Sequence, residues 1–492
     1  MKNNMRLFIL FTILLHTIGV WSQSRPDKNW VGGFEEYPSV PGHSNYIIHF
    51  QSDTFQIDTL NLGVQIESTV AFWSDAAGEL LFFSNGCGIY DASGNVLTNG
   101  DDINPGAIHD LMCPTIGYTV PKGAMVLPYP DKPNSYYLLH LGAKYDFNHL
   151  LHFGPLYYSV VGFDNGVGSV SDKNTVIMDS LPESFAVVRH GNGRDWWLVA
   201  PKLNSDQLYL FLIDPTGIHA SDIVSTGTVF AGKRPGSSVF SPNGALFARY
   251  HCEKGIVVAG FDRCNGTFSN TTFLSPPAPL PRGGGISFSN KSNALFVNSQ
   301  TTCYHIDLNQ SLPKWDTLIY VNDYASWGTT LGEMQYAPDG KLYISQISRS
   351  SYMNAVVQDA AGQGQFVFQG LKLPVKQVRS MPNLPNFGLY DLPNSVCDTL
   401  GIDDPTSTKE LYGNDIELVV YPSPAKDKIN VSVGNESIHN WKIFDLTGRL
   451  VLDGKGNSNL LTISLEHCSA GTYMLSVVLT DGKSTSKVFW VE

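Results

Sequence analysis

One local pattern recurs in SPNGALFARY (241–250), SNKSNALFVNS (289–299) and APDGKLYISQ (337–346). A further copy is DAAGELLFFSNG at 75–86. Each copy begins with a turn rich in Gly, Asn, Asp or Pro, and an apolar, β-branched or aromatic run follows. This order is typical of a β-hairpin, because those turn residues accept the backbone angles that a tight reversal needs.

The spacing of these hairpins indicates the architecture. Pro242, Asn290 and Pro338 mark equivalent turns and lie 48 residues apart each time. A four-stranded propeller blade uses about 40–50 residues. One blade cannot bury both faces alone, but blades packed around an axis can. We therefore predict an all-β chain with a single β-propeller of about seven blades at 23–396. The alternative, two β-sandwiches in series, is disfavoured by the even spacing.

The N-terminus has the features of a signal peptide. Lys2 and Arg6 form a basic region, and an apolar run of about fifteen residues extends from Leu7 to Trp21. This run is shorter than the roughly 20 residues of a membrane-spanning helix. We predict a signal peptide at 1–22, cleaved after Ser22, and no transmembrane segment in the mature chain.

The composition excludes some partners. Charged residues make up 15% of the chain and hydrophobic residues 42%, with 46 glycines, as expected of a β-rich exported protein. Removing the leader takes away two basic residues and leaves 30 basic and 44 acidic ones, a net charge of −14. The mature chain therefore has no excess of basic side chains, which argues against nucleic acid and anionic lipid as partners.

The last part of the chain has a different pattern. Residues 397–414 are polar and rich in turn formers, so we predict a linker. About seven short strands follow within 415–492, a number that fits a small immunoglobulin-like β-sandwich.

The C-terminal sequence resembles the type A C-terminal sorting domain of Bacteroidetes proteins exported by the type IX secretion system. The resemblance rests on YPSPAKDKINV (421–431), IFDLTGRLV (443–451), ISLEHCSAGTYMLSV (463–477) and TDGKSTSKVFWV (480–491). Ser423 replaces the usual Asn. The residues that carry the motif are Tyr421, Pro422, Pro424, Asp445, Gly448, Gly471, Tyr473 and Lys487.

The resemblance implies export across the outer membrane, with the type IX machinery as a partner. It also implies removal of the domain and either release or attachment at the cell surface. Each of these motifs also has a structural interpretation. The prolines would fix the start of a strand, Asp445 and Gly448 would form a hairpin turn, and Gly471 would let the chain pass closely before Tyr473.

The larger region is similar to a group of propeller-like proteins from the same bacteria, for which we know no assigned activity. The matching stretches are LFFSNGCGIYDASGNVLTNGDDINPG (81–106), VVRHGNGRDWWLVAPK (187–202), FDRCNGTFSN (261–270) and MPNLPNFGLYDLPNSVCDTLGI (381–402). This resemblance supports the architecture and leaves the chemistry open.

Seven cysteines make disulfides plausible in an exported chain. Cys252 and Cys264 flank an apolar run that could fold back, so we expect them to pair. Cys87 and Cys113 are the next candidates. Cys303 with Cys397 is a further possibility, and Cys468 is expected to stay reduced.

One cluster of polar and aromatic residues could carry chemistry. Glu183, His190, Asp195, Trp196 and Trp197 lie within fifteen residues and could bind or cleave a sugar. We favour a structural interpretation, in which HGNGRD (190–195) is a hairpin turn that leads into a strand.

Potential ligands for metals are scattered. Three histidines and an aspartate have irregular spacing, and an Asx-rich turn could offer oxygen ligands to Ca²⁺. We favour structural roles for both groups and predict no metal and no cofactor. The residues are His140, His149, His152 and Asp146 in the first group, and Asp101, Asp102 and Asn104 in the second.

A run of three glycines could likewise have a functional or a structural role. Arg282 precedes Gly283, Gly284 and Gly285, which could bring the backbone close to a ligand. We favour a tight start to a central strand, where glycine avoids crowding.

No catalytic residue is identified, and G-x-S-x-G, H-E-x-x-H, Walker and dinucleotide motifs are absent from the sequence. We therefore favour a non-enzymatic surface binding module with an extracellular glycan or protein as its ligand. A secreted polysaccharide hydrolase or lyase is the alternative, and it predicts two carboxylates converging on the propeller axis. A third hypothesis is that the protein is a scaffold or a component of an envelope assembly.

Overall fold

The structure is a computed structural model. It describes residues 26–34, 45–51, 54–145, 151–232, 236–277, 280, 283–321, 330–393, 395–400, 418–434, 437–445, 449–466, 468–480 and 484–492. The predicted signal peptide lies outside these residues. The chain divides into two compact units, Met1–Asp404 and Pro405–Glu492. Within the described ranges, no helix has the length and apolar character needed to cross a membrane.

Seven antiparallel sheets follow one another along the described part of the larger unit. The first three contain β1 (Asn29–Gly32), β2 (Asn45–Phe50) and β3 (Phe55–Leu60); β4 (Ala71–Ser74), β5 (Leu80–Ser84) and β6 (Ile89–Asp91); and β7 (Ala124–Pro128), β8 (Ser135–Tyr145), β9 (Leu151–Asp164), β10 (Val167–Val170) and β11 (Thr175–Met178). A short helix, α1 (Ala107–Met112), lies between β6 and β7 in the sequence.

The other four sheets have four strands each, paired in chain order. They contain β12 (Ala186–Arg189), β13 (Trp196–Pro201), β14 (Gln207–Asp214) and β15 (Gly217–Ser225); β16 (Ser237–Phe240), β17 (Leu246–His251), β18 (Gly255–Asp262) and β19 (Thr267–Leu274); β20 (Gly283–Phe288), β21 (Ala294–Ser299), β22 (Thr302–Asp307) and β23 (Asp316–Tyr320); and β24 (Leu331–Tyr336), β25 (Leu342–Gln346), β26 (Ser350–Gln358) and β27 (Gly364–Gln377).

These sheets close into a ring. Contacts join the first strands of successive sheets, namely β1 to β4, β4 to β7, β12 to β16, β16 to β20 and β20 to β24. The last sheet returns to the first, because β27 contacts β2 and β3. The main-chain N–H of Phe34 also donates to the oxygen of Lys376 at 3.0 Å. The larger unit is therefore a β-propeller, which confirms the predicted fold class, while the blade count of about seven stays a prediction.

Apolar side chains fill the space between neighbouring sheets. Trp30 of the first sheet packs edge-on against Tyr343 of the last, with 6.1 Å between ring centroids, and both belong to one buried cluster. Trp197 of the fourth sheet packs in the same way against Phe261 of the fifth. Each sheet thus buries apolar area against a neighbour, as the propeller architecture requires.

The turn chemistry explains the repeated hairpins. The copies spaced by 48 residues form the pairs β16–β17, β20–β21 and β24–β25. In the copy at 75–78, Asp75 Oδ1 accepts the main-chain N–H groups of Ala77 at 2.9 Å and Glu79 at 3.0 Å. Gly78 there has a φ of 83°, a left-handed value that favours glycine. The aspartate side chain therefore fixes the reversal.

The smaller unit has two sheets. One contains β28 (Val419–Tyr421), β29 (Lys428–Ser432) and β32 (Leu460–Ser464), and the other contains β30 (Ile438–Asp445), β31 (Leu450–Lys455), β33 (Gly471–Leu479) and β34 (Ser484–Val491). Ile429 and Val431 of the first sheet share a buried core with Leu475 and Phe489 of the second. This arrangement confirms the predicted immunoglobulin-like sandwich.

Candidate functional site

The cluster at 183–197 has a structural role. Glu183 is fully buried, and its Oε1 accepts a hydrogen bond from Arg249 Nε at 2.5 Å. Burial raises the pKa of the Glu183 carboxyl, and the Arg249 cation opposes this shift. Asp195 accepts from Arg194 Nε at 2.8 Å within the turn at 190–195. The favoured structural interpretation of the two carboxylates is therefore supported.

The aromatic members of this cluster are packing residues. Trp196 is fully buried, and Trp197 donates Nε1–H to the main-chain oxygen of Arg263 at 2.8 Å. His190 Nδ1 accepts the N–H of Asn192 at 3.0 Å. None of these three side chains lines the central cavities described below.

The histidine group does not form a metal site in the described residues. His140 is buried, with Nδ1 2.7 Å from Asn104 Oδ1 and Nε2 3.0 Å from Ser159 Oγ. Burial lowers the pKa of His140 to about 3, so the ring is neutral. His149, Asp146 and the side chain of His152 lie outside the described residues.

The Asx-rich turn also has protein partners. Asp101 pairs with Lys173 at 3.0 Å, and the main-chain oxygen of Asp102 accepts from Asn174 Nδ2 at 2.8 Å. Asn104 belongs to the His140 network. Over the described ranges, no group of three or more His, Cys, Asp or Glu side chains is placed to hold a metal ion.

The glycine run is needed for close packing. A Cβ on Gly284 would lie 1.9 Å from Asn298 Oδ1, and one on Gly285 would lie 2.5 Å from the main-chain nitrogen of Met334. These distances support a tight start to the central strand β20. Arg282 lies outside the described residues.

One predicted cysteine pair is confirmed and two are wrong. Cys87 and Cys113 form a disulfide, as predicted. Cys264 pairs with Cys397, so the pairings of Cys252 with Cys264 and of Cys303 with Cys397 are wrong. Cys252, Cys303 and Cys468 form no disulfide.

The physical reason lies in β18. The run between Cys252 and Cys264 is one extended strand, Gly255–Asp262, rather than a segment that folds back. At about 3.3 Å per residue its ends are about 25 Å apart, far beyond disulfide reach. Cys397 thus belongs to the propeller, although the predicted linker starts there.

A cavity of about 410 Å³ lies among the first strands of the sheets. Most of its wall residues lie at or near the starts of β12, β16, β20 and β24 and in the segment before β7, and the others come from β8, β9 and β17 and from segments after β17, β25 and β27. We call it the upper cavity. Its polar lining includes Lys122, Ser184, Ser237, Ser238, Glu333 and Arg379, and its apolar lining includes Leu141, Phe185, Val239 and Ile286.

A second cavity of about 400 Å³, the lower cavity, adjoins the first. It is lined by later residues of the same strands and of the turns that follow them, by Asp27 and by residues 383–390. Five residues line both cavities, so the two are neighbours along the propeller axis. They are Lys122, Ser238, Val239, Ile286 and Asn383.

Lys122 is a half-buried cation that lines both cavities. Its Nζ donates to the main-chain oxygen of Met334 at 2.9 Å, and its main-chain oxygen accepts from Asn383 Nδ2 at 3.1 Å. Burial lowers the pKa of the Lys122 amine to about 8, and the charge of Glu333 opposes this shift. The amine is therefore close to its titration point in neutral to mildly alkaline solution.

Glu333 lines the upper cavity, and one of its carboxylate oxygens makes no hydrogen bond within the described residues. This oxygen is Oε2, and it is buried. Burial raises the pKa of the Glu333 carboxyl, while Lys122 and Arg379 oppose that shift. Arg379 likewise lowers the pKa of Glu67, which burial raises. The group thus contains two cations and two carboxylates.

A two-carboxylate glycosidase centre is not formed by the described lining residues of the upper cavity. Glu333 is the one Asp or Glu side chain among them. Acid–base cleavage of a glycosidic bond normally uses a pair of carboxyl groups on either side of the bond.

Sequence reasoning missed Lys122 and Glu333. A signal for Glu333 was present in the repeat, because Ser237 and Glu333 each lie five residues before the equivalent turn residues Pro242 and Pro338. Both line the upper cavity. Lys122 carries no comparable signal, since it precedes β7 in a segment outside the recognised copies.

The described residues of the sorting motif lie on or beside the strands of the smaller unit. Tyr421 ends β28, and Pro422 and Pro424 follow it. Lys487 donates Nζ to the main-chain oxygen of Leu418 at 3.1 Å. Tyr473 donates its hydroxyl to the oxygen of Ser469 at 2.8 Å.

Three further motif positions complete this description. Asp445 Oδ1 accepts the N–H of Arg449 at 3.1 Å, as in a hairpin turn, and Gly448 lies outside the described residues. A Cβ on Gly471 would meet the ring of Tyr473 only at 3.9 Å, an ordinary contact distance. Close passage of the chain does not explain this glycine.

Residues 419–491 match the family of secretion system C-terminal sorting domains. The smaller unit is therefore a sorting domain of this type, and the chain is type IX cargo directed to the cell surface or the extracellular space. The domain implies interaction with the type IX machinery.

A known enzyme matches a short part of the chain. The ulvan lyase NLR42 of Nonlabens ulvanivorans is 31% identical over 109 residues, and the match covers 20% of this chain and 20% of the lyase. The chain therefore spans only a fifth of that relative's length.

Two solved structures illustrate the structural similarity. The periplasmic gluconolactonase PpgL of Pseudomonas aeruginosa is 14% identical, with a TM-score of 0.44 and coverage of 71% of this chain and 97% of that one. PorZ, a surface component of the type IX system of Porphyromonas gingivalis, is 12% identical, with a TM-score of 0.28 and coverage of 92% and 74%. At these values the similarity carries no functional argument.

Proposed function

We propose that the propeller is an exported binding module that holds a small polar ligand in the upper cavity. The observation that carries this proposal is Glu333 Oε2, a buried acceptor without a partner among the described residues, in the same cavity lining as the half-buried Lys122. Leaving such groups unpaired costs free energy, and a ligand that pairs them regains it. A pocket with apolar walls and a few converging polar groups is a usual binding site.

Thermal unfolding of the full-length protein tests this function. The probes are monosaccharides, oligosaccharides, amino acids and short peptides, each at millimolar concentration. A ligand that binds only the folded state raises Tm, by an amount that grows with its concentration. We expect at least one class to raise Tm in the wild-type protein and to lose this effect in Glu333→Gln. No shift with any probe class would contradict a binding role for the upper cavity.

A polysaccharide-acting enzyme is the second candidate. The favouring observation is Lys122, whose pKa of about 8 suits a proton-transfer group. The short match to an ulvan lyase is consistent with this function and covers too little of either chain to carry it. Release of reducing ends or unsaturated products from acidic polysaccharides would favour the enzyme, and loss of that activity in Lys122→Met would place it in the upper cavity.

A further inference from the structure

We infer that the ligand of the upper cavity is a saccharide unit that places two neighbouring hydroxyl groups between Lys122 and Glu333. This inference rests on the proposed binding function and names the chemical class of its ligand. One hydroxyl would donate to Glu333 Oε2, and the other would accept a hydrogen bond from Lys122 Nζ.

The hydrogen-bond donors of Lys122 and the acceptor of Glu333 set the first requirement for a ligand. An ammonium has three N–H donors, and the bonds within the described residues use one of them, to Met334. Glu333 Oε2 can only accept while the carboxylate is ionised. A matching ligand must therefore offer a donor and an acceptor side by side, and each hydroxyl group can serve as either.

The charge balance sets the second requirement. The four charged groups Lys122, Arg379, Glu333 and Glu67 sum to zero net charge, and Glu67 belongs to this sum through Arg379 although it does not line the cavity. A simple anion would be repelled by Glu333 and would leave its Oε2 unpaired. A simple cation would be repelled by Lys122. Burying either ion would also cost its hydration free energy. A neutral polyhydroxy ligand avoids these costs.

The rest of the lining fits the same class. Ser184 and Ser238 contribute hydroxyl groups 3.0 Å apart, and Ser237 adds another. Phe185 and Ile286 provide apolar wall that can contact the C–H faces of a sugar ring. The cavity volume of about 410 Å³ falls in the range of small-ligand sites.

Calorimetric titration of the full-length protein tests the inference. The probes are common hexoses and their methyl glycosides, single-deoxy analogues of whichever sugar binds, and glycine as a zwitterion that also pairs a donor with an acceptor. We expect one sugar to bind. We also expect deoxygenation at each of two adjacent carbons to weaken binding about tenfold or more, as for hydrogen bonds to charged groups. The titrations with deoxy sugars use the wild-type protein, so their result can be interpreted even if a variant misfolds.

Matched variants locate the site. Glu333→Gln and Lys122→Met should each weaken sugar binding about tenfold or more, whereas Glu79→Gln and Lys372→Met, at exposed positions outside the cavity, should leave it unchanged. Binding of glycine instead of sugars, with the same dependence on Glu333, would overturn the saccharide class and leave the binding function standing. Sugar binding that ignores both cavity variants, or no binding of any sugar, would overturn the inference.

Discussion

Asn383 donates its Nδ2–H to the main-chain oxygen of Lys122 at 3.1 Å. The segment that follows the last propeller strand is thereby attached to the residue between the two axial cavities. Lys122 has a left-handed φ of 51°, a strained value for a lysine. The bond from Asn383 therefore helps to hold a backbone conformation that positions the amine.

Removing that bond should lower the stability of the propeller. In Asn383→Ala the carbonyl of Lys122 loses its partner, and an unpaired buried carbonyl costs about 1–3 kcal/mol. We expect a loss of this size in the free energy of unfolding, measured by urea denaturation. Asn265→Ala is a control, because the Asn265 side chain makes an exposed bond to Asp262. Equal losses in the two variants would contradict the role of Asn383.

The disulfide between Cys264 and Cys397 should be a major constraint on the same segment. It links residues 133 apart in the sequence, and closing a loop of that length typically stabilises a protein by about 2–4 kcal/mol. We expect the double variant Cys264→Ser with Cys397→Ser to lose that much stability in denaturant melts under non-reducing conditions. Cys468→Ser, which removes a thiol outside any disulfide, should change stability little. A double variant as stable as the control would contradict this assignment.

Thiol counting and peptide mapping distinguish the disulfides of the structure from the pair of Cys252 and Cys264 that the sequence predicted. The unfolded, unreduced protein should expose three thiols, at Cys252, Cys303 and Cys468. Peptide mapping should recover a disulfide-linked fragment that joins Cys264 to Cys397. A fragment that joins Cys252 to Cys264 would contradict the structure.

Local turn chemistry made the propeller predictable. The hairpin at 241–250 and its copies are specified by residues a few positions apart, so their strands and their 48-residue spacing were visible in the sequence. The sandwich was predictable for the same reason. Cys87 and Cys113, 26 residues apart, were also close enough for a correct pairing.

Contacts that depend on ring closure could not be predicted. Lys122 and Met334 are 212 residues apart and meet only because their sheets line one axis. Cys397 reaches Cys264 only because the chain returns across the fourth and fifth sheets, where Leu392 donates its N–H to the oxygen of Gly191. The site was missed for the same reason, since single positions in the sequence do not reveal which side chains converge.

The ion pair of Glu183 and Arg249 should contribute strongly to stability. Both side chains are fully buried, and removing one partner leaves an uncompensated buried charge, typically at a cost of about 3–5 kcal/mol. We expect this loss for Glu183→Gln in urea denaturation. The matched exposed variant Glu79→Gln should lose little. Similar stabilities of the two variants would show that the pair is replaceable.

Lys122 should make the stability of the propeller depend on pH. Its folded pKa of about 8 lies below the ordinary value of 10.5, so between these values the unfolded chain binds more protons at this site than the folded chain. Stability contributed by this group is therefore lower below pH 8 and rises with pH towards 10.5. The slope is at most about 1.4 kcal/mol per pH unit.

The difference in unfolding free energy between the wild-type protein and Lys122→Met isolates this contribution, because the other titrating groups are common to both. We expect the difference to move in favour of the wild type by about 1–2 kcal/mol between pH 8 and pH 9.5. Urea denaturation at a series of pH values measures it. Lys372→Met, at an exposed position, should show a difference that does not vary with pH. A constant difference for Lys122→Met would mean that the amine titrates like an ordinary surface lysine.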